Sequence, residues 1–262
     1  MQQISNFAIL IISSDKYKDI WPIFFHFFYK NWENCPFKVY LGSNTVLNQV
    51  DPKIQNILSG GNLDWSTSLE NILNKIPEKK LLIILEDFLI ISQVNSKMVL
   101  EQFEYMEKYN VNHMHYYNPD VPFDSDIDDQ YGEYHPGAPL RVNVFGFWDK
   151  NCLMKIIQHG ESPWEFEILG SYRSTPFEKF LAIKNQPFKI LNLVEKGSYI
   201  ASSVAFCESL EVKLSYEQRG EWGQRMTLKN KLQAIYFKLM NKIPWKTRLK
   251  LMALLRKAFI TY

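Results

Sequence analysis

The chain has 262 residues, 46% hydrophobic and 15% aromatic, which is ample for one large α/β domain or two small ones, so disorder is not the default. Its three cysteines, Cys35, Cys152 and Cys207, are odd in number and lack CxxC or Cys/His spacing, so they fit a reduced compartment better than a disulfide framework or a zinc site. The formal charge of +2 hides a split: from Trp222 onward there are ten Lys/Arg and no Asp/Glu, leaving 20 basic against 28 acidic residues before it.

In chain order, "FAILIISS" (7–14) reads as a buried strand. No basic residue precedes it and Asp15 follows, so a first strand is expected rather than a signal peptide. Nothing in the chain approaches the roughly 18 apolar residues of a membrane-spanning helix. "IWPIFFHFFYKNW" (20–32) is apolar on nearly every face, as a well-buried helix is. "FKVYLGSN" (37–44) predicts a second strand, and "WSTSLENILNKI" (65–76) a helix capped by Ser66 or Thr67. "KLLIILEDFLI" then gives a third strand, interrupted by Glu86 and Asp87. Strand and helix alternating over about ninety residues predict a parallel sheet covered by helices, with a ligand crevice beyond the carboxyl ends of the strands. Further on, 97–110 reads as a helix, 116–139 as a long Pro-, Asp- and Gly-rich loop, 140–148 as a strand, and 151–160 as a helix leading into "ESPWEFEILGSYRS".

Three groups of residues could carry chemistry. Carboxylates that end a strand in such a crevice can hold a divalent cation against a nucleotide diphosphate; otherwise Glu86 and Asp87 cap the next segment or pair with a lysine. In the second group, Glu165 and Glu167 flank Phe166 behind Pro163 and Trp164, with Arg173 following. On a helix the two acids point about 200° apart, so one of them faces a given site. A carboxylate beside a Trp can serve as a general base, whereas the plain alternative is a first helical turn rich in acids that suit the helix dipole. The third group is histidines. His113 and His115 share a strand face as a candidate ligand pair or as two buried polar positions, and His135 lies in the loop "EYHPGAP" as a candidate metal or phosphate contact. GxSxG, P-loop and Rossmann glycine patterns are absent.

The tail is a different object. Leu228, Leu232, Ile235, Leu239 and Ile243 form a helical stripe among Lys229, Lys231, Lys238 and Lys242, and after Pro244 a second basic amphipathic segment begins. Such segments lie in the headgroup region of anionic membranes; packing on the acidic body is the alternative, and no nucleic acid partner is expected because the body is acidic.

Three blocks resemble a group of bacterial glycosyltransferase-like proteins of surface-polysaccharide and lipopolysaccharide gene sets. They are "SSDKYKDIWPIFFHFFYKNWENCPFKVYLGSN", "WSTSLENILNKIPEKKLLIILEDFLI" and "VNVFGFWDKNCLMKIIQHGESPWEFEILGSYRS", and the resemblance spans about residues 7 to 175. It implies a GT-A-like fold of the nucleotide-diphospho-sugar transferases: a mixed, mainly parallel sheet flanked by helices. The glycosyltransferase domain would cover 1–225 and the basic amphipathic tail 226–262. By that resemblance Ser13, Asp15 and Tyr17 lie near the nucleobase and ribose, Ser14 and Trp65 join the donor set, and Glu86 and Asp87 lie near the diphosphate. Arg173 steadies the departing charge, and Trp164 and His135 belong to the acceptor pocket. Glu167 is the implied base of an inverting transfer, with Glu165 as second choice. The usual Asp-x-Asp metal motif is Glu-Asp-Phe here, so either Asp87 alone ligates Mg²⁺ or Mn²⁺ or no metal is needed. The implied substrates are a nucleotide sugar and a lipid-linked glycan acceptor. The expected location is cytoplasmic, peripheral on the inner face of the cell membrane, held to an anionic surface by the tail. A non-catalytic module that keeps the fold and binds a glycan or a partner enzyme is the rival expectation.

Overall fold

The computed structural model describes residues 6–61, 63–116, 118, 122–222, 235, 239, 240 and 242–251. In chain order the elements are β1 (Phe7–Ile12), α1 (Trp21–Trp32), β2 (Lys38–Ser43), β3 (Gln55–Leu58), α2 (Trp65–Leu73), β4 (Lys80–Leu85) and β5 (Phe88–Ile90). Then come α3 (Ser96–Lys108), β6 (His113–Tyr116), β7 (Ser125–Asp126), β8 (Tyr131–Glu133), β9 (Gly146–Asp149), α4 (Lys150–Ile156) and α5 (Pro163–Arg173). The last are β10 (Phe180–Ile183), β11 (Ile190–Asn192), β12 (Val194–Glu195), β13 (Ser198–Ile200), α6 (Ala201–Ser209) and β14 (Glu221–Trp222).

One large sheet runs in the order β3-β2-β1-β4-β9-β6-β10-β8-β7. The first four strands are parallel, with Ile12 of β1 beside Leu85 of β4. β9 enters antiparallel between β4 and β6, and β6 and β10 again run parallel to β1. The carboxyl ends of β1, β4, β6 and β10 therefore share one edge, and β9 starts from it. Alternation along each strand divides the core into two layers. Phe7, Ile9, Ile11, Leu82 and Ile84 face α1 and α3, whereas Ala8, Leu10, Ile12, Leu81 and Ile83 face α2, α4 and α5. Burial on both faces explains why β1 and β4 read as continuous apolar runs.

α1 is covered on two sides, and only the stripe Pro22, His26 and Lys30 stays exposed. One side meets the sheet and the other meets β5 and α6, with Phe27 stacked on Phe206 and Asn31 donating to the Ile90 carbonyl. The segment 188–222 is thus folded back over α1 and the carboxyl ends of β1 and β4. It pairs β11 with β5, and the Leu193 N–H donates to the Asp87 carbonyl at 2.8 Å.

Two local expectations need correction. The cap of α2 is Asp64, whose carboxylate accepts from Thr67 N–H and from the Ser66 and Thr67 hydroxyls, rather than Ser66 or Thr67. Of the expected 140–148 strand only residues 146–148 join the sheet, as part of β9 (Gly146–Asp149). Leu140 has φ +51°, and Arg141 is buried with its guanidinium on the carbonyls of Tyr134, Ser174 and Phe177, which holds this stretch in an irregular path.

Of the tail, the stripe residues Leu228 and Leu232 and the lysines 229, 231 and 238 lie outside the described residues. Residues 245–251 are helical. Among the described residues no helix is long and apolar enough to cross a membrane.

Candidate active site

The crevice begins where β1 and β4 end. Ser13 follows β1, and its hydroxyl accepts from the Trp21 indole N–H at 2.8 Å and donates to the Ser14 carbonyl at 3.4 Å. Ser14 starts a short 3₁₀ turn, its carbonyl accepting from Tyr17 N–H. Asp15 points back under β2. Its carboxylate accepts from the backbone N–H groups of Asn44, Thr45 and Val46 at 3.0–3.1 Å and from the Thr45 hydroxyl at 2.6 Å. Desolvation works against its ionisation, but these donors outweigh it and hold the carboxyl below the ordinary value. Asp15 therefore fixes the loop after β2, and its own N–H donates to Asn44 Oδ1 at 3.1 Å in the same loop.

Glu86 and Asp87 form the turn between β4 and β5. Burial, and for Glu86 the neighbouring Asp87 charge, push both carboxyls upward: Glu86 well above its usual value and Asp87 to about 6. The Tyr17 phenol is raised as well, first by burial and then by the charges of Asp87 and Glu86, so it stands within their field.

A residue from far along the chain completes this group. Arg219 is 6% exposed and lies over the Tyr17 ring at 4.1 Å. Its guanidinium donates to both Asp19 oxygens at 2.8 and 3.0 Å, to the Lys16 carbonyl at 2.7 Å and to the Gly197 carbonyl at 3.3 Å. Its charge draws the Glu86 and Asp87 carboxyls back down. Arg219 is thus a clamp that closes the C-terminal segment onto the turn after β1. Sequence reading missed it, because a lone Arg in an aperiodic stretch gives no signal.

The second acid comes from α5. Glu167 keeps part of its surface exposed, yet its carboxyl is enclosed by protein and accepts from Val144 N–H at 3.1 Å. Burial lifts it to about 7, with the Val144 N–H opposing. The loop 142–145 that receives it is held from three sides. Ser171 accepts from Val142 N–H, Asn143 Oδ1 accepts from Phe145 N–H, and His113 Nε2 accepts from Asn143 N–H at 3.3 Å. His113 Nδ1 therefore carries the proton and donates to the Phe147 carbonyl at 2.9 Å. The His113–His115 pair, on one strand face with rings 5.2 Å apart, supports this loop and stacks on Trp148 and Tyr134. Phe145, next to Val144, packs edge-on against Phe88, next to Asp87, at 5.4 Å. The Glu86–Asp87 turn and Glu167 hence flank one loop at the carboxyl edge.

The remaining expected residues stand elsewhere. Glu165 closes a capping box: its carboxylate accepts from Ser162 N–H and hydroxyl at 2.8 Å and is held below its usual value by them. Trp65 packs on Phe166, on the α5 side of the sheet rather than with Ser13 and Glu86. Arg173 is paired in both directions with Glu161 and donates to the Ile156 carbonyl, so the cation beside the acidic turn is Arg219 and not Arg173. Trp164 is 53% exposed one turn before Glu167. His135 follows Tyr134, whose N–H meets Phe180 at the start of β10, which places it at the opposite edge of the sheet. A shallow depression of about 510 Å³ lined by Leu73, Asn74, Lys150 and Met154 also lies at that amino edge, away from the acids.

Among the described residues no cluster of three or more His, Cys, Asp or Glu could hold a metal by itself. Two adjacent carboxyls do fit a cation that takes its remaining ligands from phosphate oxygens and water, as Mg²⁺ commonly does.

No family model matches the chain, and no curated protein matches it. Among solved structures the chain is similar to S. aureus TarS 1–349, at 10% identity and TM-score 0.48 over 70% of this chain and 59% of that one. The same protein in complex with UDP-GlcNAc gives 10% identity and 0.49 over 74% and 60%. The galactosyltransferase LgtC in complex with donor and acceptor sugar analogs gives 8% identity and 0.40 over 92% and 100%. The chain thus spans about three fifths of the TarS structures it matches.

Proposed function

We propose that this chain is a glycosyltransferase, moving a sugar from a nucleotide-sugar donor to a lipid-linked glycan in bacterial surface-polysaccharide synthesis, with inversion at the anomeric carbon. The observation that carries it is the placement of two acidic groups at one strand edge: the Glu86–Asp87 turn on one side of the loop 142–145 and the enclosed, hydrogen-bonded Glu167 on the other. The sequence resemblance of residues 7–175 supports the same reading.

In this reading the donor lies on the turn 13–17, with its diphosphate toward Glu86 and Asp87. Ser13, held by Trp21, and Tyr17, held by Arg219, fix that turn. A divalent cation bound by these carboxyls together with phosphate oxygens would supply charge to the departing diphosphate. Glu167, with a carboxyl near neutrality, takes the proton of the acceptor hydroxyl as its oxygen bonds to the anomeric carbon and the bond to the diphosphate oxygen breaks. The Val144 N–H keeps the carboxylate oriented throughout. Exposed Trp164, one helical turn away, offers a face on which an acceptor sugar can stack. The tail, residues 226–262, holds the enzyme peripherally on the cytoplasmic, anionic face of the membrane, where a lipid-linked acceptor lies.

Calorimetric titration with nucleoside diphosphates, with and without Mn²⁺, together with a screen of nucleotide sugars for hydrolysis, tests the proposal. Binding with slow hydrolysis of one donor is expected. No binding under either condition would remove the enzyme reading, and binding without turnover would favour the non-catalytic module.

A further inference from the structure

The tail's described part has two unlike sides. Three side chains of the helix 245–251 turn toward the body. The Trp245 ring stacks on His135 with centroids 5.8 Å apart, and the fully buried Arg248 is ion-paired with Asp124. Leu249 packs so closely on Gly137 that a Cβ there would meet it at 3.0 Å. Asp124 is itself fixed, since its second oxygen accepts from His135 N–H at 2.9 Å, and His135 Nε2 lies 3.2 Å from the Ser125 hydroxyl. The positions 245, 248 and 249 follow helical spacing and define the docked stripe.

The other side is open. Lys242, Lys246 and Lys250 are exposed, as are Thr247 and Leu251, and before Pro244 the aliphatic Ile235 and Leu239 are 53% and 58% exposed. No acid accompanies these lysines anywhere from residue 222 to the end of the sequence. Large aliphatic side chains in water among lysines match a lipid headgroup boundary, which takes charge and apolar surface together. A nucleic acid would use the lysines and leave the aliphatics in water.

We infer that Lys242, Lys246 and Lys250, with Ile235, Leu239 and Leu251, form a bilayer-facing surface for anionic phospholipid, and that Trp245, Arg248 and Leu249 lock it to the β7–β8 edge of the sheet. This rests on the membrane reading of the tail and adds its pose. Residues 245–251 are a foot docked under the outer sheet edge, and Trp245, the residue an interfacial helix would be expected to insert, is a protein contact.

The test uses the full chain and flotation with phosphatidylcholine vesicles, either pure or containing about a third phosphatidylglycerol. Wild type should float only with the anionic vesicles. Changing Lys242, Lys246 and Lys250 together to Glu should lower partitioning by at least about a hundredfold, given the usual contribution of each basic residue near such a surface. Trp245→Phe should leave it unchanged. Partitioning that survives the lysine changes but falls with Trp245→Phe would overturn the pose while leaving the membrane reading intact. Failure of wild type to float, or tighter binding of duplex DNA than of anionic vesicles, would overturn both. Neither result would touch donor binding, which is measured separately by calorimetry.

Discussion

Glu167→Gln separates a buried acid kept for chemistry from one kept for packing. In the unfolded chain this carboxyl titrates near 4.5, and in the folded chain burial moves it to about 7. The folded state therefore holds a proton that the unfolded state has lost between those two values, and stability falls as pH rises through that window. The shift corresponds to a penalty of about 3 kcal/mol, present in full above about pH 7 and absent below about 4.5. Glutamine keeps an oxygen to accept the Val144 N–H but carries no charge, so the variant should match wild type near pH 4.5 and exceed it by about 3 kcal/mol at pH 8. Urea unfolding followed at both pH values measures this, with the slope m checked for constancy. If Glu167 is also the base, the same variant should lose roughly 10²–10⁴ in kcat, and wild-type kcat should rise with pH through about 7. A gain under about 1 kcal/mol at pH 8 would refute the claim that burial holds this carboxyl protonated. A stability gain with kcat kept within about tenfold would leave the burial argument standing and remove Glu167 as the base.

Other outcomes follow from the same contacts. The Arg219–Asp19 pair, with side chains 4% and 7% exposed, should show a coupling of about 2 kcal/mol or more in a double-mutant cycle of Arg219→Met and Asp19→Asn read by urea unfolding. Asp87 ionises above about 6, so Mn²⁺-supported nucleoside diphosphate binding should weaken about tenfold between pH 7 and 5, and Asp87→Asn should abolish that dependence in calorimetry. Gly146 has φ +148° and a Cβ there would stand 2.5 Å from the Met114 carbonyl, so Gly146→Ala should cost about 3 kcal/mol in urea unfolding. Asp15→Ala frees three backbone N–H groups of the loop after β2 and should raise hydrogen exchange at Asn44, Thr45 and Val46 specifically, with β4 amides unchanged.

The strands and helices up to Trp164 were largely legible because their patterns are strong. β1 and β4 are unbroken apolar runs buried on both faces, and α1 is apolar over all but the stripe Pro22, His26 and Lys30 because the segment 188–222 packs against it from outside the sheet. β3, β10 and the small strands after Phe188 were missed, as were β7 and β8 inside the expected loop 116–139, all being short and set among polar residues that carry no period. The stretch 140–145 misled because "LRVNVF" alternates like a strand, while buried Arg141 draws its own hydrogen-bond partners from the end of β8 and the turn after α5.

By itself the sequence determined which residues could be acidic ends of strands, which helix would bear Glu167, and that the last forty or so residues are a basic object of their own. Those features are local: composition, period and the residue next door fix them. The tertiary structure alone decided partners. It spent Asp15, Glu165 and Arg173 on a loop, a helix cap and a buried ion pair, set Arg219 over Tyr17 from some two hundred residues away, and turned Trp245 inward onto His135. A charged side chain takes whichever counterpart lets it leave water at least cost, and that counterpart is chosen by chain crossings that no spacing along the sequence records.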